Sequence, residues 1–455
     1  MTQTKEHIYF IGIGGISMSG LAEILASRGH QVSGTDVKET AVTKHLQSLG
    51  IHINFGHRAE NITDDITLVV YTAAIHDDNP ELRAAHEKGI RIMDRAHLLG
   101  QIMDEYHDSV AVSGTHGKTT TTSMVSEILL AAEKDPTITV GGILPTIGSN
   151  LRIGNSPYFV AEACEYFDSF LQFNPFIAII LNVESDHLDY FKTLENIRRS
   201  FHAFAQRVPD KGLLVISEKI DNVKELTDGL TCHVETFGLS EKANWRAENI
   251  VHEADGRNSF DIYHNSAFFT TIHLHIPGEH NITNALAAIA ASAFLGAAPE
   301  DCVKGLHHYT GTERRFQLKG KKDGITVIDD YAHHPQEIKA TLSAAKNYPH
   351  RKLWCVFQPH TYTRTKAFLD QFAQTLSAAD EVILADIYAA RETDTLGVSS
   401  LDIVERIERL GTKAHYIPSF DDIETFILEN CINGDVLITM GAGDIVKVGE
   451  KLLGR

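Results

Sequence analysis

Gly114-Thr115-His116-Gly117-Lys118-Thr119-Thr120-Thr121 decides how this chain is read. The stretch follows a short apolar run, Val110-Ala111-Val112, and opens a helix expected over 121–132. Strand, glycine loop and helix, in that order, is a setting in which backbone grips phosphate. Glycines let the loop bend until several N–H groups face one concavity, and the next helix adds its positive dipole end. Lys118 would set its charge on the β- and γ-phosphates, and Thr119 would offer a hydroxyl to Mg²⁺. Gly114, Thr115, His116, Gly117 and Thr120 are the other expected ATP contacts. The common form of the loop has a glycine where Val112 stands, and this loop carries a histidine inside it.

At 455 residues the chain exceeds one hydrophobic core, and about three domains are expected. Hydrophobic content of 43% and charged content of 22% fit a soluble globular protein. No apolar run is long enough to span a bilayer, and the polar start of the chain does not read as a signal peptide. Five scattered cysteines without a CxxC pair argue against a zinc site or a disulfide framework and suit a reducing cytoplasm. A net charge of −19 disfavours nucleic acid as a partner.

Strands at 7–11, 31–35 and 67–72 alternate with helices near 18–28, in the forties and at 95–103, which predicts a parallel sheet covered on both faces. A second α/β block begins at the phosphate loop, with buried strands at 158–162 and 177–181 and a helix at 194–207. Alternating residues in 244–276 predict antiparallel strands, and an alanine-rich helix follows at 283–295. A third α/β block has strands at 326–328, 353–357, 381–385, 415–417 and 436–439. The fold class is therefore α/β: two Rossmann-like ends around a central phosphate-loop domain with a small antiparallel part.

The loop Gly12-Ile13-Gly14-Gly15-Ile16-Ser17 follows the first strand and would hold a pyrophosphate over the next helix, with Asp36 at the second strand's end where a ribose-binding acid is expected. The pyrophosphate could belong to NAD, FAD or a nucleoside diphosphate sugar. Glu162 ends a buried strand, and His187 follows the next one, so both sit where an α/β site forms and can ligate a cation. Asn281 and Asn284 open the alanine-rich helix, as caps or as amides that read an adenine edge. Arg314 and Arg315 stand at the junction with the third block, where an arginine could reach a transferring phosphoryl group or simply make a salt bridge. Asp329-Asp330-Tyr331-Ala332-His333-His334-Pro335 and Gln358-Pro359-His360-Thr361-Tyr362-Thr363-Arg364 each follow a strand of that block.

Taken in order over essentially the whole chain, these segments resemble the Mur ligase family, ATP-dependent amide ligases that build the peptidoglycan stem peptide. The glycine loop at Gly12, the Asp-Asp-Tyr-Ala-His-His-Pro segment and the Gln-Pro-His-Thr-Tyr-Thr-Arg segment are similar to the member that adds the first amino acid. The resemblance implies an ATP-dependent ligase joining L-alanine to the lactyl carboxylate of UDP-N-acetylmuramic acid through an acyl phosphate. The close alternative is the recycling member, which adds a ready-made tripeptide to the same sugar nucleotide. An NAD-dependent oxidoreductase and a mechanical ATPase fit less well, given the complete phosphate loop and the Asn182 that ends strand 177–181.

The resemblance also implies site roles. Residues 1–106 would bind the UDP sugar through Gly12, Gly14, Gly15, Ser17, Asp36 and Thr72. Residues 107–313 would bind ATP, with Mg²⁺ held by Thr119, Glu162 and His187, and with Asn281 and Asn284 facing adenine. Residues 314–455 would bring Arg315 to the phosphates and Asp330 to the ATP ribose or its surroundings. His333, His360 and Arg364 would hold the substrate carboxylate or the amino acid. Lys118, Glu162, His187, Arg315 and His333 are the expected catalytic set. Cys164 and Tyr166 stand where relatives often carry Asp and Ser, which leaves the role of Glu165 open. A cytoplasmic monomer or weak dimer, without stable membrane association, completes the expectation.

Overall fold

The computed structural model describes residues 5–72, 75–253, 256–390, 392–394 and 396–455. The chain packs as two compact units. The first is made of Met1–Ile143, Ile147–Thr236 and Ala290–Ala297, and the second of Leu144–Thr146, Phe237–Ile289 and Ala298–Arg455.

The first unit opens with five parallel strands in the spatial order His52–Phe55, Gln31–Asp36, His7–Ile11, Leu68–Tyr71, Arg91–Asp94. Strand order reverses around His7–Ile11, so the crevice at the switch point opens at Gly12 on one side and Thr72 on the other. The two meet there: a Cβ built on Gly12 would lie 3.6 Å from the Thr72 methyl. The loop is pinned by the Thr35 carbonyl, which accepts the N–H groups of Gly12 and Ile13 at 2.9 Å each.

Thr35 is itself held from below. Its hydroxyl donates to the fully buried Glu81 carboxylate at 2.7 Å, which also takes the Tyr9 hydroxyl at 2.9 Å, the Asn61 amide at 2.7 Å and the His57 ring at 2.8 Å. Glu81→Ala strands these groups in a dry interior. The variant should lose about 3–5 kcal/mol of unfolding free energy in urea, and a loss under about 1 kcal/mol would show the network to be dispensable.

Seven strands of a second, ten-stranded sheet run in the order His233–Gly238, Leu213–Ser217, Ile177–Ile180, Asp108–Ser113, Tyr158–Glu162, Thr137–Leu144, Ser149–Arg152. The strands around Asp108–Ser113 are parallel and buried on both faces, which is why Ile-Ala-Ile-Ile and Leu-Leu-Val-Ile read as unbroken apolar runs. Helix Lys118–Ala131 packs on this sheet with Thr119 to Ser123 all buried. It starts three residues before the sequence expectation, because Gly117 takes the turn in the left-handed region at φ 85° and frees Lys118 to be the first helical residue.

In the second unit, Trp245–His252, Asn258–His264 and Ala267–Leu274 form the expected antiparallel meander. Helix Glu279–Phe294 also starts early, at Glu279 rather than 283. The last sheet runs Gln317–Lys322, Ile325–Asp330, Val436–Met440, Leu353–Phe357, Glu381–Leu384, Lys413–Tyr416, parallel except for the first hairpin. Its carboxyl ends bring the loops after Asp330, Phe357 and Met440 together: Gly441 N–H donates to the Asp330 carbonyl and Gln358 N–H to the Met440 carbonyl, both at 3.0 Å. No helix among the described residues is long and apolar enough to cross a membrane.

Candidate active site

The phosphate loop is clamped by the neighbouring strand's end. Asn182 accepts the His116 N–H on its side-chain oxygen at 2.8 Å and donates its amide to the His116 carbonyl at 3.1 Å. Thr115 N–H reaches the Asn182 carbonyl at 3.2 Å, and the Thr115 hydroxyl takes the Glu184 N–H at 3.0 Å. Asn182 occupies the position where a mechanical ATPase would carry an acid, and here it shapes the loop. Gly114 must remain glycine: its φ is 141°, and a Cβ would lie 2.9 Å from the Leu181 side chain.

Lys118 is directed back into this cradle. Its ammonium donates to Glu165 at 3.0 Å and to the carbonyls of Gly114 at 2.5 Å and Thr115 at 3.2 Å. Burial pulls against the charged form, but Glu165 beside it holds the ammonium above the ordinary lysine range. Glu165 is almost wholly buried and is the residue whose role the sequence left open. Glu162 adds to the field on Lys118 and accepts the Gly141 N–H at 2.6 Å on one oxygen. His187 stacks on Tyr166 with ring centroids 4.2 Å apart, and its Nε2 lies 3.9 Å from Glu165. Phe167, Asp168 and His187 all sit in the left-handed region, at φ 55°, 54° and 51°, a concentration of backbone strain beside a site. Hydroxyl, carboxylate and imidazole, the groups of Thr119, Glu162 and His187, are oxygen and nitrogen donors of the kinds that ligate divalent cations.

At the first glycine loop, Asp36 binds backbone through both carboxylate oxygens. One oxygen accepts the Gly14 N–H at 2.8 Å and the other the Val37 N–H at 2.7 Å, so the carboxylate shapes the loop. Ser17 is exposed in the first turn of helix Ile16–Ser27, with Gly15 as N-cap.

The second unit gathers the remaining candidates in two groups. Asn281 and Asn284 are buried and joined: the Asn284 amide donates to the Asn281 oxygen at 3.2 Å, and the Asn281 amide to the Pro277 carbonyl at 2.7 Å. The strand-end loops form the other group. The His333 and His360 rings meet at 5.7 Å, Arg364 lies 3.2 Å from the His360 ring nitrogen, and His360 stacks on Tyr388. Burial, with Arg364 and His360 nearby, pushes His333 down to about 4, so it is neutral at pH 7. A neutral ring whose Nδ1 stands 3.0 Å from the Tyr331 carbonyl donates there and leaves Nε2 as a bare acceptor.

The two arginines divide their work. Arg314 pairs with buried Asp329 at 3.1 Å and donates to the carbonyls of Gly441 and Gly443, which is a structural anchor. Arg315 lies over the Tyr331 ring and 3.9 Å from Glu337.

Asp330 has both oxygens occupied. One takes the Ala332 N–H at 2.9 Å, the other the Thr341 hydroxyl at 2.8 Å and the Phe316 N–H at 3.2 Å. Burial raises its pKa to about 6, against the pull of Arg315 and Thr341. The folded chain then binds this proton more tightly than the unfolded one, so the contribution to stability falls as pH rises from about 4 to about 6 and is flat above. Asp330→Asn must turn an NH₂ toward a donor and should lose about 2 kcal/mol or more. Urea titrations should show the gap to wild type narrowing between pH 4 and pH 6, and a constant gap would remove Asp330 as the titrating group.

Models of known families match along the chain in the order of these sites. The Mur ligase family catalytic domain matches residues 7–107, the Mur ligase middle domain 112–292, and the Mur ligase glutamate ligase domain 314–443. The chain belongs to the Mur ligase family.

Among Mur ligases, the UDP-N-acetylmuramate--L-alanine ligases of Agathobacter rectalis and Lachnospira eligens are each 56% identical to it. The first match covers 98% of this chain and 97% of the relative, the second 98% of both. The solved UDP-N-acetylmuramate-alanine ligase of Thermotoga maritima superposes with a TM-score of 0.84 at 32% identity, over 99% of this chain and 98% of that one. A murein peptide ligase from Psychrobacter arcticus gives a TM-score of 0.72 at 26% identity over the same shares. The balance favours the alanine-adding branch of the Mur ligases over the recycling branch. The first unit brings Lys118, Glu162, Glu165 and His187 to one place. Sequence reasoning fell short on Asn182 and Glu165, and the only signal for either was its position just past a buried strand.

Proposed function

We propose that this chain joins L-alanine to the lactyl carboxylate of UDP-N-acetylmuramic acid, converting ATP to ADP and phosphate. The observation that carries the reading is Lys118, fixed in its clamped loop beside Glu162 and Glu165 at the carboxyl ends of adjacent strands. Likeness to alanine ligases over nearly the full length supplies the substrates.

A carboxylate is a poor acyl donor, so the chemistry proceeds in two steps. A carboxylate oxygen attacks the γ-phosphorus and ADP leaves. The alanine amine then attacks the acyl carbon, and the tetrahedral intermediate expels phosphate, which carries that carboxylate oxygen away. Most of the acceleration comes from positioning and charge neutralisation. Lys118 exchanges its contacts with Glu165 and the loop carbonyls for phosphate oxygens. The N–H groups of Gly114 to Thr120 receive the rest of the triphosphate. Thr119, Glu162 and His187 would hold a Mg²⁺ ion, which would supply further positive charge to the phosphates. Gly12, Gly14, Gly15, Ser17 and Thr72 take the UDP, with Asp36 holding their loop. Asn281 and Asn284 read adenine, Arg315 meets phosphate, and Asp330 shapes the surroundings of the ATP ribose. His333 presents Nε2 to the alanine ammonium, while His360 and Arg364 hold a carboxylate. Domain limits of 1–106, 107–313 and 314–455, a cytoplasmic location and a monomer or weak dimer belong to the same proposal.

The test is phosphate release with ATP and Mg²⁺, omitting one substrate at a time. Release that requires both UDP-N-acetylmuramic acid and L-alanine is the expected result. Release with tripeptide in place of L-alanine would move the chain to the recycling branch.

A further inference from the structure

A cavity of about 240 Å³ lies within the first unit, lined by Ser17, Leu21, Arg95, Leu99, Glu162 and Cys164 among others. One wall is the helix that follows the Gly12–Gly15 loop, and another is the end of the strand that carries Glu162. Arg95 and Leu99 face it from one side of helix Arg95–Met103, four residues apart.

Arg95 is half-buried, and among the described residues it makes neither a hydrogen bond nor an ion pair. The acids around it are committed elsewhere. Asp94 caps its own helix through the N–H groups of Ala96 and His97 and also bonds the His97 ring. Glu162 holds Gly141 N–H, and Glu165 holds Lys118. Arg95 and Cys164 line the cavity together, and the positive charge of Arg95 opposes the burial that raises the thiol. Its base is rigid: a Cβ on Gly100 would lie 2.1 Å from the Gln172 carbonyl, so the helix sits tight on the turn Tyr166–Gln172.

A guanidinium stays charged at any accessible pH, and its planar fork matches a carboxylate. Held in a cavity with no ion-pair partner among the described residues, it is suited to an anion that arrives with the ligand. We propose that Arg95 binds the carboxylate of the sugar nucleotide that is to be phosphorylated. The inference rests on the function proposed above. A sugar nucleotide with its diphosphate at the Gly12 loop would extend through this cavity toward Glu162. Arg95 lines the same cavity as Glu162 and Cys164, which puts it at the acid's end of that path. Its positive charge offsets the repulsion between the substrate carboxylate and Glu162.

The test is calorimetric binding of UDP-N-acetylmuramic acid and of UDP-N-acetylglucosamine, which lacks the lactyl acid, to wild type, Arg95→Ala and Arg95→Gln. The expected result is at least about a tenfold loss of affinity for the acid-bearing nucleotide, with affinity for UDP-N-acetylglucosamine held within about twofold. Arg95→Gln keeps the stem as far as Cδ and a polar end while removing the charge, and gives the same readout if truncation to alanine disturbs folding. Equal loss for both nucleotides, or loss for neither, overturns the assignment. Wild type that binds neither nucleotide overturns the proposed function itself, which separates the two failures.

Discussion

Lys118→Ala should reduce substrate-dependent phosphate release by roughly 10³-fold or more. The ammonium is the point charge of the phosphate loop, and the carboxylates beside it, Glu165 and Glu162, are both negative. The fold should survive with a measurable loss of stability, because Glu165 is left buried without its ion-pair partner. Adding Glu165→Gln should recover most of that stability and none of the activity. Phosphate release and the thermal midpoint, measured on the single and double variants, check both statements. Near-normal turnover in Lys118→Ala would remove the phosphate loop from the chemistry.

Glu162→Gln should lower kcat by roughly 10²-fold and move the Mg²⁺ requirement to higher concentration. The amide oxygen can still accept the Gly141 N–H, so the local backbone is kept while the charge is lost. Titrating kcat against Mg²⁺ at saturating ATP separates the two roles. An unchanged Mg²⁺ dependence would assign Glu162 to shaping the Gly141 strand alone.

The parts of this molecule that were legible in the sequence are those whose signal is local. The phosphate loop declares itself within eight residues, since strand, glycines, lysine and threonine must be contiguous to work. The strands Leu353–Phe357 and Ile177–Ile180 are unbroken apolar runs and read directly. Short strands with mixed residues did not: His52–Phe55 and Arg91–Asp94 are set by pairing with neighbours rather than by pattern. Partnerships across long separations were silent as well. Glu165 is 47 residues from Lys118, and Asn182 is 66 from His116. Asp36 shows the converse: its position at a strand's end was legible, but the backbone N–H groups that use its carboxylate were not.

The most direct test of the account follows the oxygen. UDP-N-acetylmuramic acid labelled with ¹⁸O in both lactyl carboxylate positions is turned over with ATP and L-alanine, and the released phosphate is analysed by mass. An acyl-phosphate route places one ¹⁸O in each phosphate and keeps the other in the new amide carbonyl. Phosphate free of label, from a reaction that still forms the amide, would contradict activation of the carboxylate by ATP.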